Sequence, residues 1–313
     1  MSTKKQYQSL IKALGSERVQ VDEPLAAYTT FRLGGPSDLF FTAKSTPELV
    51  GAVSAAKEFA VDYLVLGRGS NLLISDEGYR GVVIKNDSST GEALETNPLR
   101  VDSGYSLQQL IDFSFDKGLV GLELFGGIPA SVGGAVYNNV HGKDQFFNDR
   151  VQKVTLLTKD GIVRPEPVSY LQSSYDYTIL QETGEVVLDV TLKLERGDVE
   201  EARILRAAWW QEKKKFQPQT NCAGCIFKNI SKEDQQRLGY PTPSVGYLID
   251  KGLGLKNAEI GGAKVCETHA NFIVNTGAAT AEDVWLLIRK IQDEAKEKLE
   301  VNLELEVELV GNF

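Results

Sequence analysis

Ten residues, Gly126-Gly127-Ile128-Pro129-Ala130-Ser131-Val132-Gly133-Gly134-Ala135, hold two glycine pairs around a proline. Without Cβ the chain can take positive φ and bring its amides close to a phosphate or a flat ring. The segment therefore predicts a backbone shaped to lie against a ligand. A second stretch, Gly67-Arg68-Gly69-Ser70-Asn71, follows the apolar run Tyr63-Leu64-Val65-Leu66. A glycine-rich turn leaving a strand end, with Ser70, Asn71 and amides as donors, suits a pyrophosphate. Either segment alone reads equally well as a tight turn. Two together point to a large cofactor. The dinucleotide-binding fingerprint fits poorly, because Gly67-Arg68-Gly69 lacks the third glycine and no acidic ribose partner is placed. No Walker-type Lys-Ser/Thr ending follows either.

The 313 residues leave room for two or three small domains. A net charge of -9 argues against a nucleic-acid binder, although Lys213-Lys214-Lys215 is locally basic. No apolar run reaches membrane-spanning length and Met1 to Gln20 lacks an apolar signal core, so a cytoplasmic protein with no membrane partner is expected. The odd count of three cysteines fits a reducing compartment. Helix signals stand at Ser45-Thr46-Pro47-Glu48, at Ser106 with Gln109, from Gly197-Asp198 to Lys215, and at Thr280. In the last, Val284, Leu287, Ile288, Ile291, Ala295 and Leu299 recur at helical spacing. Val151–Leu157, Val186–Leu194 and Leu303–Val310 read as strands, the second with one buried face. The order of elements predicts α+β domains built on mixed sheets.

Three further stretches carry chemistry: Thr29-Thr30-Phe31-Arg32-Leu33-Gly34-Gly35, Cys222-Ala223-Gly224-Cys225-Ile226-Phe227-Lys228-Asn229, and Thr268-His269-Ala270-Asn271-Phe272-Ile273-Val274-Asn275. With the two glycine loops, in this order and spacing, the chain from Thr29 to Gly311 resembles the UDP-N-acetylenolpyruvoylglucosamine reductase (UDP-N-acetylmuramate dehydrogenase) family. The resemblance implies a vanillyl-alcohol-oxidase type flavin fold: FAD-binding subdomains over 1–85 and 86–197, a substrate domain over 198–300, and a closing strand over 301–313. It implies FAD as cofactor and NADPH as reductant. The substrate would be UDP-N-acetylglucosamine enolpyruvate and the product UDP-N-acetylmuramate, a peptidoglycan precursor. Gly67, Arg68, Gly69, Ser70, Asn71, Gly127, Ile128, Ser131, Gly133 and Gly134 would face the cofactor. Cys225 stands where the family has its proton-donating serine, and a thiol gives up a proton more readily than an alcohol. Tyr175, Asn229 and Lys214 match substrate-binding positions, with Lys213 and Lys215 as competitors of Lys214. Glu306, in Leu303-Glu304-Leu305-Glu306-Val307, matches the assisting carboxylate; strand alternation puts Glu304 on the same face and does not separate the two. A monomer is expected.

Besides Cys225, the chain departs from the family pattern at two places. Asp176, in Tyr175-Asp176-Tyr177-Thr178, occupies the slot of an arginine that holds the substrate carboxylate, and a carboxylate there repels the charge to be stabilised. Asn139-Val140-His141-Gly142 stands where the family reads Asn-Ala-Gly-Ala. The short stretch between Tyr175 and Val186 matches the family's compact branch. Rival readings are another oxidoreductase on the same flavin fold, an FAD or UDP-sugar binder without turnover, and a zinc module using Cys222, Cys225, Cys266 and His269. Cys222 and Cys225 also read as an oxidation-sensitive pair.

Overall fold

The computed structural model describes residues 3–94, 98–219 and 221–313. Two compact units are each assembled from separated stretches: Met1–Glu23, Asp38–Arg68 and Gly81–Gln211, and Pro24–Ser37, Gly69–Arg80 and Glu212–Phe313. Segments 24–37 and 69–80 thus group with the C-terminal part, although a division in chain order leaves them in the first subdomain.

A four-stranded sheet lying mainly in the first unit has the order Val19–Pro24, Pro36–Ala43, Tyr79–Asn86, Tyr63–Leu66, the last pair parallel. Helix Thr46–Glu58 starts where the sequence signals it: Ser45 accepts a hydrogen bond from the Glu48 N–H, and Pro47 sits in the first turn. Its buried Leu49, Ala52, Val53 and Ala56, spaced three or four apart, pack with Leu10 of helix Thr3–Leu14 and with Leu39, Phe41, Val82 and Ile84.

A five-stranded antiparallel sheet follows, in the order Val163–Pro167, Val151–Leu157, Val186–Lys193, Pro98–Asp102, Gly91–Ala93. The Val186–Lys193 strand corrects the expectation of a single buried face, since all of Val187 to Leu192 is buried. It is the middle strand of five. Val190 and Leu192 join the core containing helices Leu107–Asp116 and Val132–Tyr137, while Leu188 joins the core of helix Thr46–Glu58. Its Asp189 is buried because it is paired: Arg100 on the neighbouring strand grips both carboxylate oxygens, at 2.9 and 3.0 Å.

In the second unit, helix Ala281–Leu299 lays Val284, Leu287, Ile288, Ile291 and Ala295 on a core with Leu248, Ile249, Val265, Ile273, Phe31 and Leu73. Its start is doubly capped. Thr280 and Asp283 form a reciprocal capping box, and the Asp76 carboxylate accepts from the Ala281 and Glu282 N–H groups at 2.9 and 3.0 Å. The closing strand is shorter than its alternation predicts: only Glu308–Val310 pairs, parallel to Leu72–Ile74. Upstream the chain belongs to another partner. Lys228 N–H donates to Glu304 O at 2.9 Å and Glu306 N–H to Ile226 O at 2.8 Å, with an antiparallel bridge between Phe227 and Leu305. The bend at Glu306 and Val307, where the chain changes partner, ends the two-residue period, and it separates the two acids: Glu304 is exposed and Glu306 half-buried.

Candidate active site

In the first unit the turn after strand Tyr63–Leu66 meets the start of helix Val132–Tyr137. A Cβ on Gly67 would stand 2.4 Å from the Ser131 Oγ, so a side chain there would displace the hydroxyl that caps the helix by accepting from Gly134 N–H. A glycine whose backbone passes beside a helix-capping hydroxyl, with the exposed guanidinium of Arg68 next in sequence, suits a pyrophosphate and fits a flavin dinucleotide.

The longer glycine-rich loop differs from its sequence reading. Its amides are committed to protein: Gly127 N–H to Gln108 Oε1 at 3.0 Å, Ile128 to Phe125 O at 3.2 Å, Val132 to Tyr105 O at 2.9 Å and Gly133 to Ser103 O at 2.7 Å. Gly127, at φ +82°, is glycine for a packing reason, because a Cβ there would fall 2.1 Å from the Trp210 ring on helix Val199–Lys213. Gly69, Ser70 and Asn71 belong to the second unit, where Asn71 braces the chain end: its Nδ2 donates to Glu306 O at 2.9 Å and its carbonyl accepts from Glu308 N–H at 3.0 Å.

Also in the first unit, the chain leaving helix Val132–Tyr137 carries His141, and the tight loop Ser174–Tyr177 carries Asp176. His141 Nδ1 lies 3.4 Å from Asp176 Oδ1, and the exposed Tyr175 ring covers the imidazole with centroids 5.2 Å apart.

In the second unit, Cys225 sits in a loop clamped by Asn271. This side chain, 4% exposed, accepts from Phe227 N–H at 3.0 Å and donates to Phe227 O at 2.8 Å, while its own carbonyl accepts from Ile226 N–H at 2.8 Å. The Glu306 N–H ends on the Ile226 carbonyl, so the backbones carrying Cys225 and Glu306 are joined at adjacent positions. The basic run resolves by burial: Lys213 is 6% exposed, whereas Lys214, the residue favoured from sequence, and Lys215 are exposed. Desolvation drives the Lys213 ammonium from its ordinary 10.5 to about 8, with the charge of Cys225 acting in the opposite sense. Asn229 is exposed.

Cys266, Phe272 and Val274 form a small apolar cluster against which Cys222 and Cys225 pack, and burial pushes the Cys222 thiol up. Burial likewise lowers the His269 imidazole, whose Nδ1 accepts from Asn271 N–H at 3.3 Å. His269 thereby holds the residue that holds the Cys225 loop. Among the described residues no group of three or more His, Cys, Asp or Glu is placed to hold a metal ion. Asn271 gives no local signal in the sequence, because the backbone its buried amide grips, at Phe227, is 44 residues away.

Residues 37–165 match the FAD binding domain, and residues 217–310 match the UDP-N-acetylenolpyruvoylglucosamine reductase, C-terminal domain. The chain is 39% identical to UDP-N-acetylenolpyruvoylglucosamine reductase of Bacillus subtilis over 300 residues, covering 94% of each. It is 38% identical over 306 residues to UDP-N-acetylenolpyruvoylglucosamine reductase 1 of Bacillus cereus, covering 94% of this chain and 95% of that one. The crystal structure of the reductase from Thermus caldophilus superposes with a TM-score of 0.76 at 34% identity, covering 94% of this chain and 98% of that one. These matches to known proteins make the chain a flavin-dependent oxidoreductase. The chain belongs to the UDP-N-acetylenolpyruvoylglucosamine reductase family.

Proposed function

We propose that this protein reduces the enolpyruvyl double bond of UDP-N-acetylglucosamine enolpyruvate with NADPH, giving UDP-N-acetylmuramate. The turn Gly67–Asn71 and Ser131 would hold FAD, within residues 1–197, and the bound flavin would supply hydride-transfer chemistry between NADPH and the substrate; residues 198–300 with the 301–313 segment would receive the substrate. Hydride arriving at C3 leaves carbanion character at C2, delocalised into the adjacent carboxylate. Cys225 supplies the proton that C2 takes up, completing a two-electron, two-hydrogen addition across the double bond. Glu306 assists at the same carbon. Lys213, an ammonium at neutral pH, stabilises negative charge as it develops and favours release of the thiol proton. Tyr175, Asn229 and Lys214 remain substrate contacts in this reading. NADPH and a nucleotide-sugar substrate make the cytoplasm its proposed site of action, with a single chain carrying every group named.

The observation that supports this reading most directly is the hydrogen bond of Glu306 N–H to the carbonyl of Ile226, which joins the segments carrying acid and thiol. The test is anaerobic. One equivalent of NADPH bleaches the flavin band, and the enolpyruvyl substrate then restores it in the wild type and in Cys225→Ser. Cys225→Ala bleaches equally but stays reduced. A Cys225→Ala protein that reoxidises at the wild-type rate overturns the donor assignment, and a wild type whose bleached flavin ignores the substrate overturns the function.

A further inference from the structure

Two of the chain's departures from its family's pattern, His141 and Asp176, meet in space. His141 Nδ1 and Asp176 Oδ1 are 3.4 Å apart. The segments that carry them are tied by Asn139 Nδ2 donating to Ser174 O at 2.8 Å and by Thr178 Oγ1 donating to Tyr137 O at 2.7 Å. Gln181 Nε2 bonds both Tyr137 O, at 3.3 Å, and Asp176 O, at 3.2 Å. Asp176 is held at φ +49°, a conformation tolerated by Asp and stable only where the surroundings fix it. Its side chain is 7% exposed, and its Oδ2 is buried with no hydrogen-bond partner among the described residues. An orphaned carboxylate oxygen is costly, and it orients whatever cation is beside it. The His141 side chain is 36% exposed. With Nδ1 facing Asp176, the other ring nitrogen is the one left to meet a ligand, and Tyr175 restrains the ring plane.

We propose that His141, oriented by Asp176, replaces the missing arginine as the donor to the substrate carboxylate. Asp176 is then a positioning residue and has no contact with substrate. The donating form is the doubly protonated ring, with Nδ1–H turned to Asp176 and Nε2–H turned to the substrate carboxylate. An aspartate placed alone in the arginine slot would repel the substrate; one that carries a histidine does not. This inference rests on the activity proposed above.

The experiment uses the FAD-loaded, oxidised protein and reads ligand affinity from the shift of the flavin band, without turnover. Two ligands are compared: UDP-N-acetylglucosamine enolpyruvate and UDP-N-acetylglucosamine, which lacks the carboxylate. His141→Ala binds the first about 10- to 100-fold more weakly, the range for a hydrogen bond to a charged group, and the second unchanged. Asp176→Asn weakens the first less. The double variant His141→Gly/Asp176→Arg, which restores the arginine pattern, regains most of the loss that His141→Gly alone suffers. Equal loss for both ligands, or His141→Ala binding the enolpyruvyl ligand like wild type, overturns the assignment. A wild type that reoxidises with the substrate while His141→Ala is unaffected refutes this inference alone; a wild type that neither binds nor reduces it refutes the underlying function.

Discussion

Lys213 is a lysine where the interior disfavours one, and replacing it with methionine tests how much that costs. Burial takes its pKa from 10.5 to about 8, and the side chain is only 6% exposed. Each decade of proton affinity is worth ~1.4 kcal/mol, so holding the charged form inside costs ~3 kcal/mol at pH 7. Below pH 8 lysine is protonated in both folded and unfolded chains and the penalty is constant. Between 8 and 10.5 the unfolded chain holds the proton while the folded one releases it, so stability rises with pH and the penalty fades. Lys213→Met, similar in volume and apolar, removes it at every pH. Urea unfolding of the Lys213→Met protein gives a free energy higher by about 3 kcal/mol at pH 7, a net figure that already contains the attraction to Cys225, and the gap closes to under ~1 kcal/mol by pH 10. Its turnover falls at least about tenfold, the usual exchange of stability for a strained functional group. Equal stabilities at pH 7, or a gap of constant size across this range, would refute the reasoning.

Gly127→Ala adds a Cβ 2.1 Å from the Trp210 ring at a backbone φ of +82°, so the indole must move or the loop must unfold. Differential scanning calorimetry is expected to register a loss of about 3 kcal/mol or more, and a Gly127→Ala protein melting within a degree of wild type contradicts the packing described. Asn271→Ala deletes two side-chain hydrogen bonds to Phe227 and leaves both backbone groups buried and unpaired. That costs about 2–4 kcal/mol, and it slows flavin reoxidation by substrate more than flavin reduction by NADPH. Equal slowing of both half-reactions would mean that Asn271 does not act through the Cys225 loop.

Much of this protein is written locally. The Ser45 and Thr280 caps, the helical spacing from Val284 to Ala295, and the turn after Leu66 are decided within a few residues, where sequence separation and spatial separation agree. The ordered stretches that identify the family are likewise legible without coordinates. What sequence left open was decided by which neighbour arrives from elsewhere in the chain. Val186–Lys193 is buried on both faces because it became a central strand, and periodicity records a preference for burial without recording how many faces are covered. Lys213 and Lys214 are chemically identical in sequence; Lys213 ends the helix and is buried, whereas Lys214 opens the turn after it and is exposed. Glu304 and Glu306 share a parity that holds only in an unbroken strand, and the change of partner at Glu306 breaks it. Asp176 looks like a lost charge until the fold sets His141 against it. Sequence alone determined the residue types and the local turns. Tertiary structure decided which charges are buried and what each of them faces, because solvation and pairing depend on distances that the linear order of residues does not contain.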